Sequence, residues 1–94
     1  MIYPLYQNIP LIPSRSAMTE LYDNNMDLND VLGVIESGYD CPKGKRSKEK
    51  IERCLDQKRK TIRIVIAKSY SDYFASEVWV VIHVGITSKP KVRK

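Results

Sequence analysis

The sequence predicts an α+β fold, with two short N-terminal helices packed on a curled antiparallel sheet of three to four strands. Between residues 14 and 38, apolar side chains recur at helical spacing. In the second half, the runs TIRIVIAKS (61–69) and EVWVVIHVGI (77–86) alternate with the two-residue period of strands. Because 94 residues suffice for one core but not for two, we expect a single domain over residues 1–94.

The first thirteen residues are largely apolar, but prolines interrupt them at positions 4, 10 and 13. Proline is excluded from helix interiors and is tolerated at sheet edges. We therefore expect residues 1–13 to form an extended arm that lies across the domain or along a sheet edge.

Residues 14–38 are predicted to form the helix pair. Ser14 or Ser16 is the candidate N-cap of the first helix. Asp27 is the expected N-cap of the second, with Asp30 completing the cap, and Gly38 is expected to end that helix in a left-handed conformation. The apolar stripe of the first helix consists of Ala17, Met18, Leu21 and Tyr22.

Residues 39–87 are predicted to hold the sheet, and residues 88–94 a basic tail. The segment KIERCLDQ (50–57) fits a helical face as well as a strand, and we favour a strand because the turn-like DQKRK and two clear strands follow. Alternation places Val78, Val80, Ile82 and Val84 on the aliphatic face beneath the helices, together with Ile62, Ile64 and Ile66. The opposite, open face of the sheet is then expected to carry Arg63, Trp79 and His83.

The charge is distributed unevenly along the chain. Residues 1–42 carry one base and six acids, whereas residues 43–94 carry fifteen bases and five acids. This asymmetry predicts that the second half binds RNA or another polyanion. One alternative is contact with a protein partner or a second copy of the chain through the unlike halves. Another is that the charges only keep the protein soluble, with a basic tail at the end of the chain. The residues expected to contact the phosphate backbone of the nucleic acid are Lys43, Lys45, Arg46, Lys58, Arg59 and Lys60.

Aromatic side chains complement these bases. Unpaired nucleic-acid bases stack on aromatic rings at about 1–3 kcal/mol each. We expect Tyr70, Tyr73 and Trp79 to take this role; the alternative is that the rings close the open end of the sheet.

Cys41 and Cys54 are the only cysteines. The longest apolar run, residues 78–82, is too short to span a bilayer, and the N-terminus lacks the features of a secretory signal. We therefore expect a cytoplasmic protein without membrane contact, in which both cysteines are reduced. No paired metal-ligand motif is present in the sequence, so we expect no metal and no cofactor.

The pattern of elements, with Ser-Ala opening the first helix, L-x-D-V and a terminal Gly in the second, and EVWVVIHVG as the last strand, resembles a family of short prokaryotic proteins. The chain is similar to the domain of unknown function numbered 4258, and through it to the RelE-like toxins that cut messenger RNA. The resemblance covers residues 14–86.

The resemblance is incomplete in the first helix. The family has His-Ala there, followed by an Arg one turn and again two turns later, whereas this chain has Ser16-Ala17, Glu20 and Asn24. If the activity depends on those residues, the resemblance implies either a protein that binds RNA without cutting it or one whose chemistry has moved to the sheet.

Metal-free RNA cleavage by 2′-hydroxyl attack needs a base, an acid and a cation beside the phosphate. His83 is the candidate base or acid, because histidine titrates near neutral pH. Arg63 is preferred to Arg53 as the cation, since Arg53 shares a strand face with Ile51 and Leu55. The second proton-transfer group is Glu52, with Tyr70 and Tyr73 as alternatives. The functions left open are RNA binding, a metal-independent endoribonuclease and a noncatalytic protein-interaction module.

Overall fold

A computed structural model describes residues 3–42 and 49–88. In that part of the chain, six strands and two helices follow one another in the order ββααββββ. Their bounds are β1 Leu5–Tyr6, β2 Ile9–Pro13, α1 Arg15–Asp23, α2 Leu28–Ser37, β3 Tyr39–Asp40, β4 Lys50–Gln57, β5 Lys60–Ser71 and β6 Ser76–Ser88.

The strands form one mixed sheet in the order β1-β2-β6-β5-β4-β3. Strand β2 is parallel to β6, and all other neighbouring strands are antiparallel. The predicted antiparallel sheet of three to four strands is therefore wrong, because the sheet has six strands and the helix pair follows a hairpin instead of beginning the fold. The prediction of a strand at 50–57 is confirmed.

The N-terminal residues join the sheet despite their prolines. Gln7 and Asn8 both have positive φ, as in the tight turns that connect paired strands. The N–H of Leu11 donates to the carbonyl of Pro4 at 2.9 Å. Pro13 lies two residues after Leu11, so its nitrogen points to the same side of β2 as that of Leu11, the side of β1. Because β1 does not extend as far as Pro13, no hydrogen-bond donor is needed there.

Both helices begin where the sequence predicts. The Ser14 hydroxyl accepts a hydrogen bond from the N–H of Ala17 at 3.1 Å. Asp27 and Asp30 form a reciprocal capping box, with hydrogen bonds of 2.9 and 3.0 Å. These caps satisfy N–H groups that have no partner within a helix, so local chemistry alone fixes where each helix starts.

Gly38 ends α2 for a different reason from the one predicted. Its φ of −83° is not left-handed. A Cβ at this position would instead overlap the carbonyl oxygen of Cys54 and lie 2.5 Å from that of Val34. Glycine is therefore required because α2 and β4 approach each other closely here.

The helices cover one face of the sheet, and the core lies between them. The first helix buries Ala17 and Leu21, but Met18 and Tyr22, which were expected on the same buried stripe, are exposed. The core side chains of the sheet are Leu11, Ile51, Ile62, Ile64, Ile66, Trp79, Val81 and Val84. Those of the second helix are Val31, Val34 and Ile35.

A β-bulge in β6 changes which side chains face this core. Ile66 pairs with Val81, but the preceding Val65 pairs with His83, so Ile82 is an extra residue. The alternation of β6 is thus shifted at Ile82. Trp79 and Val81 face the helices before the bulge, and Val84 does so after it. The prediction that Trp79 and His83 share the open face is wrong for this reason.

Cys41 and Cys54 are joined by a disulfide, with their Cα atoms 5.2 Å apart. The prediction of two reduced thiols is therefore wrong. Pairing of Tyr39 with Cys54 and of Asp40 with Arg53 brings the end of β3 beside β4, within the Cα separation that a disulfide requires. The bridge closes a loop around the base-rich segment that precedes β4. Residues 43–48 of that segment lie outside the described residues.

We expect Gly38→Ala to lower the free energy of unfolding by about 1–3 kcal/mol, the usual cost of overpacking, because the new methyl group meets the backbone of β4. Gly33→Ala is the matched control. It lies within α2 with no atom within 4 Å of the added Cβ, so it should raise stability by about 0.5–1 kcal/mol. Chemical denaturation measures both values. Equal effects of the two substitutions would contradict the close approach at Gly38.

Candidate functional site

The three predicted catalytic residues lie on one face of the sheet. Glu52 pairs with Val65, which pairs with His83 across the next strand. Arg63 lies two residues before Val65 on β5, so its side chain projects from the same face as that of Val65. Glu52, Arg63 and His83 therefore follow one another across β4, β5 and β6, on the side of the sheet away from the helices. We call these residues, together with Glu20 of α1, the charged row.

Arg63 and Glu52 form an ion pair within this row. The guanidinium contacts Glu52 Oε2 through Nη2 and through Nε, the latter at 3.1 Å. The carboxylate is only 8% exposed, whereas the arginine side chain is 51% exposed. A buried carboxylate needs a compensating charge. Glu52 therefore serves as the counter-charge of Arg63 and is not placed beside His83 as a second proton-transfer group.

The acidic neighbour of His83 is Glu20, which the sequence did not single out as a functional residue. One Glu20 oxygen lies 3.2 Å from His83 Nδ1, and the other accepts a hydrogen bond from the N–H of Val84 at 2.7 Å. A carboxylate beside Nδ1 favours the tautomer protonated there and leaves Nε2 as a hydrogen-bond acceptor. The resemblance drew attention to position 20 only because the family has an arginine there, where this chain has Glu20.

Gly85 provides the space that the imidazole occupies. A Cβ built on Gly85 would lie 2.9 Å from His83 Nε2, so the ring covers the backbone of this residue. Gly85 pairs with Arg63 on β5, and the imidazole thus lies on the part of the sheet that faces the arginine. The half-exposed imidazole and guanidinium are neighbours on a solvent-accessible surface.

Trp79 does not belong to this surface. It is 1% exposed and lies in the core beneath the helices. The Tyr6 ring is 5.9 Å away between centroids, and Lys68 Nζ is 5.0 Å from the indole centroid. The predicted stacking of a nucleic-acid base on Trp79 is therefore wrong. Within the described ranges, the indole N–H has no hydrogen-bond partner.

Arg53 has a structural role. Its Nε donates to the carbonyl of Ile35 at 3.0 Å, Nη2 donates to the carbonyl of Gly38, and Nη1 pairs with Asp40 at 2.8 Å. The last turn of α2 has no basic residue of its own, so this guanidinium supplies positive charge at the negative end of the helix dipole. Arg53 is therefore unsuited to hold a phosphate.

The turn between β4 and β5 carries three consecutive bases, Lys58, Arg59 and Lys60, which we call the basic turn. All three are exposed, and among residues 3–42 and 49–88 no ion pair or side-chain hydrogen bond engages their side chains. Lys60 pairs with Ser88 at the end of β6, and Ser88 helps to line a shallow depression beside the turn. Three positive charges are therefore concentrated here without an ion pair to any described carboxylate.

The loop YSDYFA (70–75) at the junction of β5 and β6, which we call the aromatic loop, lies far from the basic turn. Tyr73 is 89% exposed and Tyr70 is exposed as well, so both rings are accessible. However, the loop is at the opposite end of β5, about 35 Å from Lys60 at 3.3 Å per residue. The prediction that the aromatic loop complements the basic surface is wrong for the basic turn. Phe74 packs edge-on against Tyr73 and Tyr3, at 5.1 and 5.6 Å between centroids.

Asp56 connects β3, β4 and β5 at the end of the sheet that carries the basic turn. Its carboxylate accepts hydrogen bonds from the Tyr39 hydroxyl at 3.0 Å and from the Thr61 hydroxyl at 2.7 Å. The hydrogen bond to Asp56, followed by desolvation and by the charge of the carboxylate, raises the pKa of Tyr39. Tyr39 is thereby kept as a neutral donor to Asp56 and is not poised for proton abstraction.

The remaining predicted contacts, Lys43, Lys45 and Arg46, lie outside the described residues. In the described ranges, no group of three or more His, Cys, Asp or Glu side chains is arranged to hold a metal ion. The same ranges contain no helix with the length and hydropathy needed to span a membrane.

No family model, curated protein or solved structure matches the chain. The resemblance to the domain of unknown function numbered 4258 therefore stays a prediction.

The contact between His83 and Glu20 predicts a defined imidazole tautomer. At a pH where the ring is neutral, two-dimensional ¹H–¹⁵N spectra should show the proton on Nδ1. Glu20→Gln keeps an oxygen for the N–H of Val84 but places an NH₂ group near Nδ1, so the proton should move to Nε2. Glu36→Gln, an exposed acid on α2, is the control. A wild-type ring protonated on Nε2 would contradict the assignment.

Proposed function

We propose that the protein binds RNA through the basic turn. The observation that supports this most directly is the absence of ion pairs at Lys58, Arg59 and Lys60 within the described residues. By contrast, the arginines at 53 and 63 each contact a carboxylate. Binding to nucleic-acid phosphates gains affinity when basic side chains displace counterions from the nucleic acid. These three side chains are available for that role.

The sequence beyond the sheet adds to this charge. Four of the six residues after Ser88 are Lys or Arg. Since Lys60 and Ser88 are partners in the sheet, this segment starts beside the basic turn. A basic turn beside the end of β6, after which the sequence continues with four more bases, suits a polyanion better than a single small anion.

We propose a cytoplasmic location with this RNA ligand. Reducing systems keep most cytoplasmic thiols reduced, but Cys41 and Cys54 are both buried. Restricted access slows attack by an external thiolate, so the bridge is protected from exchange.

RNA binding by the basic turn predicts a specific change in salt dependence. Arg59→Gln with Lys60→Gln should lower the slope of log K against log salt by about 1.4, because each phosphate contact on a single strand contributes about 0.7. Fluorescence anisotropy with a labelled mixed-sequence RNA measures this slope. Lys58 is left unchanged because its φ of 50° constrains the turn.

The matched control is Arg15→Gln with Lys50→Gln, which removes the same net charge from two exposed bases elsewhere. An equal loss of slope in both double variants would assign binding to net charge and not to the basic turn. Absence of RNA binding by the wild-type protein at low salt would reject the proposal.

RNA cleavage is a second candidate function, favoured by the contact between Glu20 and His83. In this scheme His83 Nε2 accepts the 2′-hydroxyl proton while Glu20 orients the ring. The 2′-oxygen then bonds to phosphorus, the bond from phosphorus to the 5′-oxygen breaks, and the leaving 5′-oxygen takes its proton from water. Arg63, half-exposed beside it, stabilises the charge that grows on the phosphate. Glu52 remains bound to Arg63 and transfers no proton. The chemistry then resides on the sheet, where the resemblance would place it for a chain without the helix-borne His and Arg.

Cleavage predicts that His83→Ala lowers the rate of RNA cutting in EDTA by at least about 100-fold, the lower range for general acid–base catalysis, while RNA retention stays unchanged. Arg63→Lys keeps a cation beside the buried Glu52 and should reduce cutting without unfolding the protein. Gel electrophoresis of end-labelled RNA reads both quantities. Retention without cutting by the wild-type protein would leave RNA binding as the function.

A protein-interaction module is the remaining candidate. Tyr22 is 86% exposed and lies one turn from the exposed Met18 on α1. Both line an apolar groove that also includes Pro13, Met26 and Leu28. If the protein works by self-association, its size in sedimentation experiments will depend on protein concentration, and RNA will not alter that dependence.

A further inference from the structure

A second groove lies beside the basic turn, on the helix side of the sheet. It has a volume of about 530 Å³, within the range of small-molecule sites. One wall is an exposed face of α2 with Asn29, Gly33 and Ser37, and the other is formed by Gln57 and Lys60 at the ends of β4 and β5. The groove therefore opens directly onto the basic turn.

The lining of this groove combines side-chain amides with an apolar floor. Val34, Leu55 and Ile62 line its apolar part. The side chains of Asn29 and Gln57 make no hydrogen bond to any described residue. Each amide offers two donors and an acceptor. Flat ligands with both polar edges and an apolar face match this combination.

The chemistry of the lining points to one ligand class. Asn and Gln side chains pair with the edges of nucleobases, and apolar surfaces accept their faces. Lys60 lines both the groove and the depression at the basic turn, so one cation is shared between the two. A phosphate at the basic turn would thus place an attached base at the mouth of the groove.

We propose that this groove holds a single unpaired nucleobase of RNA whose phosphate is bound by the basic turn. The inference rests on the proposed RNA binding and deepens it, because it specifies a single-stranded ligand and names the amides of Asn29 and Gln57 as the groups that contact the base. The charged row lies on the other face of the sheet, so the base groove is separate from the proposed cleavage site.

Gly33 allows the groove to be filled without disturbing the fold. No atom lies within 4 Å of a Cβ at this position, and leucine is a good helix former. Gly33→Leu should therefore occupy the groove with the helix intact, whereas Gly33→Ala should leave most of it open. Asn29→Ala with Gln57→Ala removes the amides and keeps the volume.

The test is an NMR titration of the ¹⁵N-labelled protein with the four ribonucleoside 5′-monophosphates and with ribose 5-phosphate. We expect at least one nucleotide to shift the side-chain NH₂ signals of Asn29 and Gln57 and the backbone amide of Gly33. Ribose 5-phosphate should shift only signals of the basic turn. Both Gly33→Leu and the double alanine variant should abolish the base-dependent shifts, while Gly33→Ala retains them.

With single-stranded RNA, we expect Gly33→Leu to weaken binding about tenfold, within the range for loss of one base contact. Identical shifts from ribose 5-phosphate and nucleotides, or shifts that survive in Gly33→Leu, would overturn the groove even if the wild-type protein binds RNA. Base-dependent shifts without RNA binding would instead support the groove and overturn the proposed function.

Discussion

The architecture depends on the β-bulge at Ile82. A strand of thirteen residues with unbroken alternation would keep Trp79, Val81 and His83 on one face. The extra residue lets Trp79 and Val81 face the helices on one side of the bulge and Val84 on the other. It also places His83 opposite Val65, where Glu20 reaches both its ring and the next backbone N–H. One inserted residue thus joins the core to the charged row.

The local parts of the fold were predictable, and the long-range parts were not. Ser14, Asp27 and Asp30 act on their own helices, so the sequence identifies them. The pairing of β2 with β6 joins residues more than sixty positions apart, and the prolines in β2 obscured its strand character. Nor does a two-residue period reveal the bulge, because residues 78–82 are all apolar and show no alternation that an extra residue would interrupt. The bridge between Cys41 and Cys54 was missed because a compartment argument outweighed a contact that only the fold provides.

For the candidate site, the sequence identified the chemical groups but not their partners. Glu52, Arg63 and His83 do lie on one face. However, Arg63 is matched by Glu52, and His83 by an acid from the first helix. The uneven charge of the two halves is thus partly neutralised within the molecule, where Asp40 from the acidic half forms an ion pair with Arg53 from the basic half. The bases of the basic turn, by contrast, form no ion pair with a described residue, although Asp56 lies two residues before Lys58.

The outermost strands of the sheet, β1 and β3, have only two residues each. A long flat edge exposes unpaired backbone groups that can recruit strands from other molecules and start aggregation. Here each outermost strand is only two residues long, and Pro13, whose nitrogen is on the β1 side of β2, removes a donor just inside the β1 border. Few backbone donors are therefore available for strand addition along β1 itself. The N-terminal prolines, which excluded a helix and were compatible with a sheet edge, make this segment a suitable place for the sheet to end.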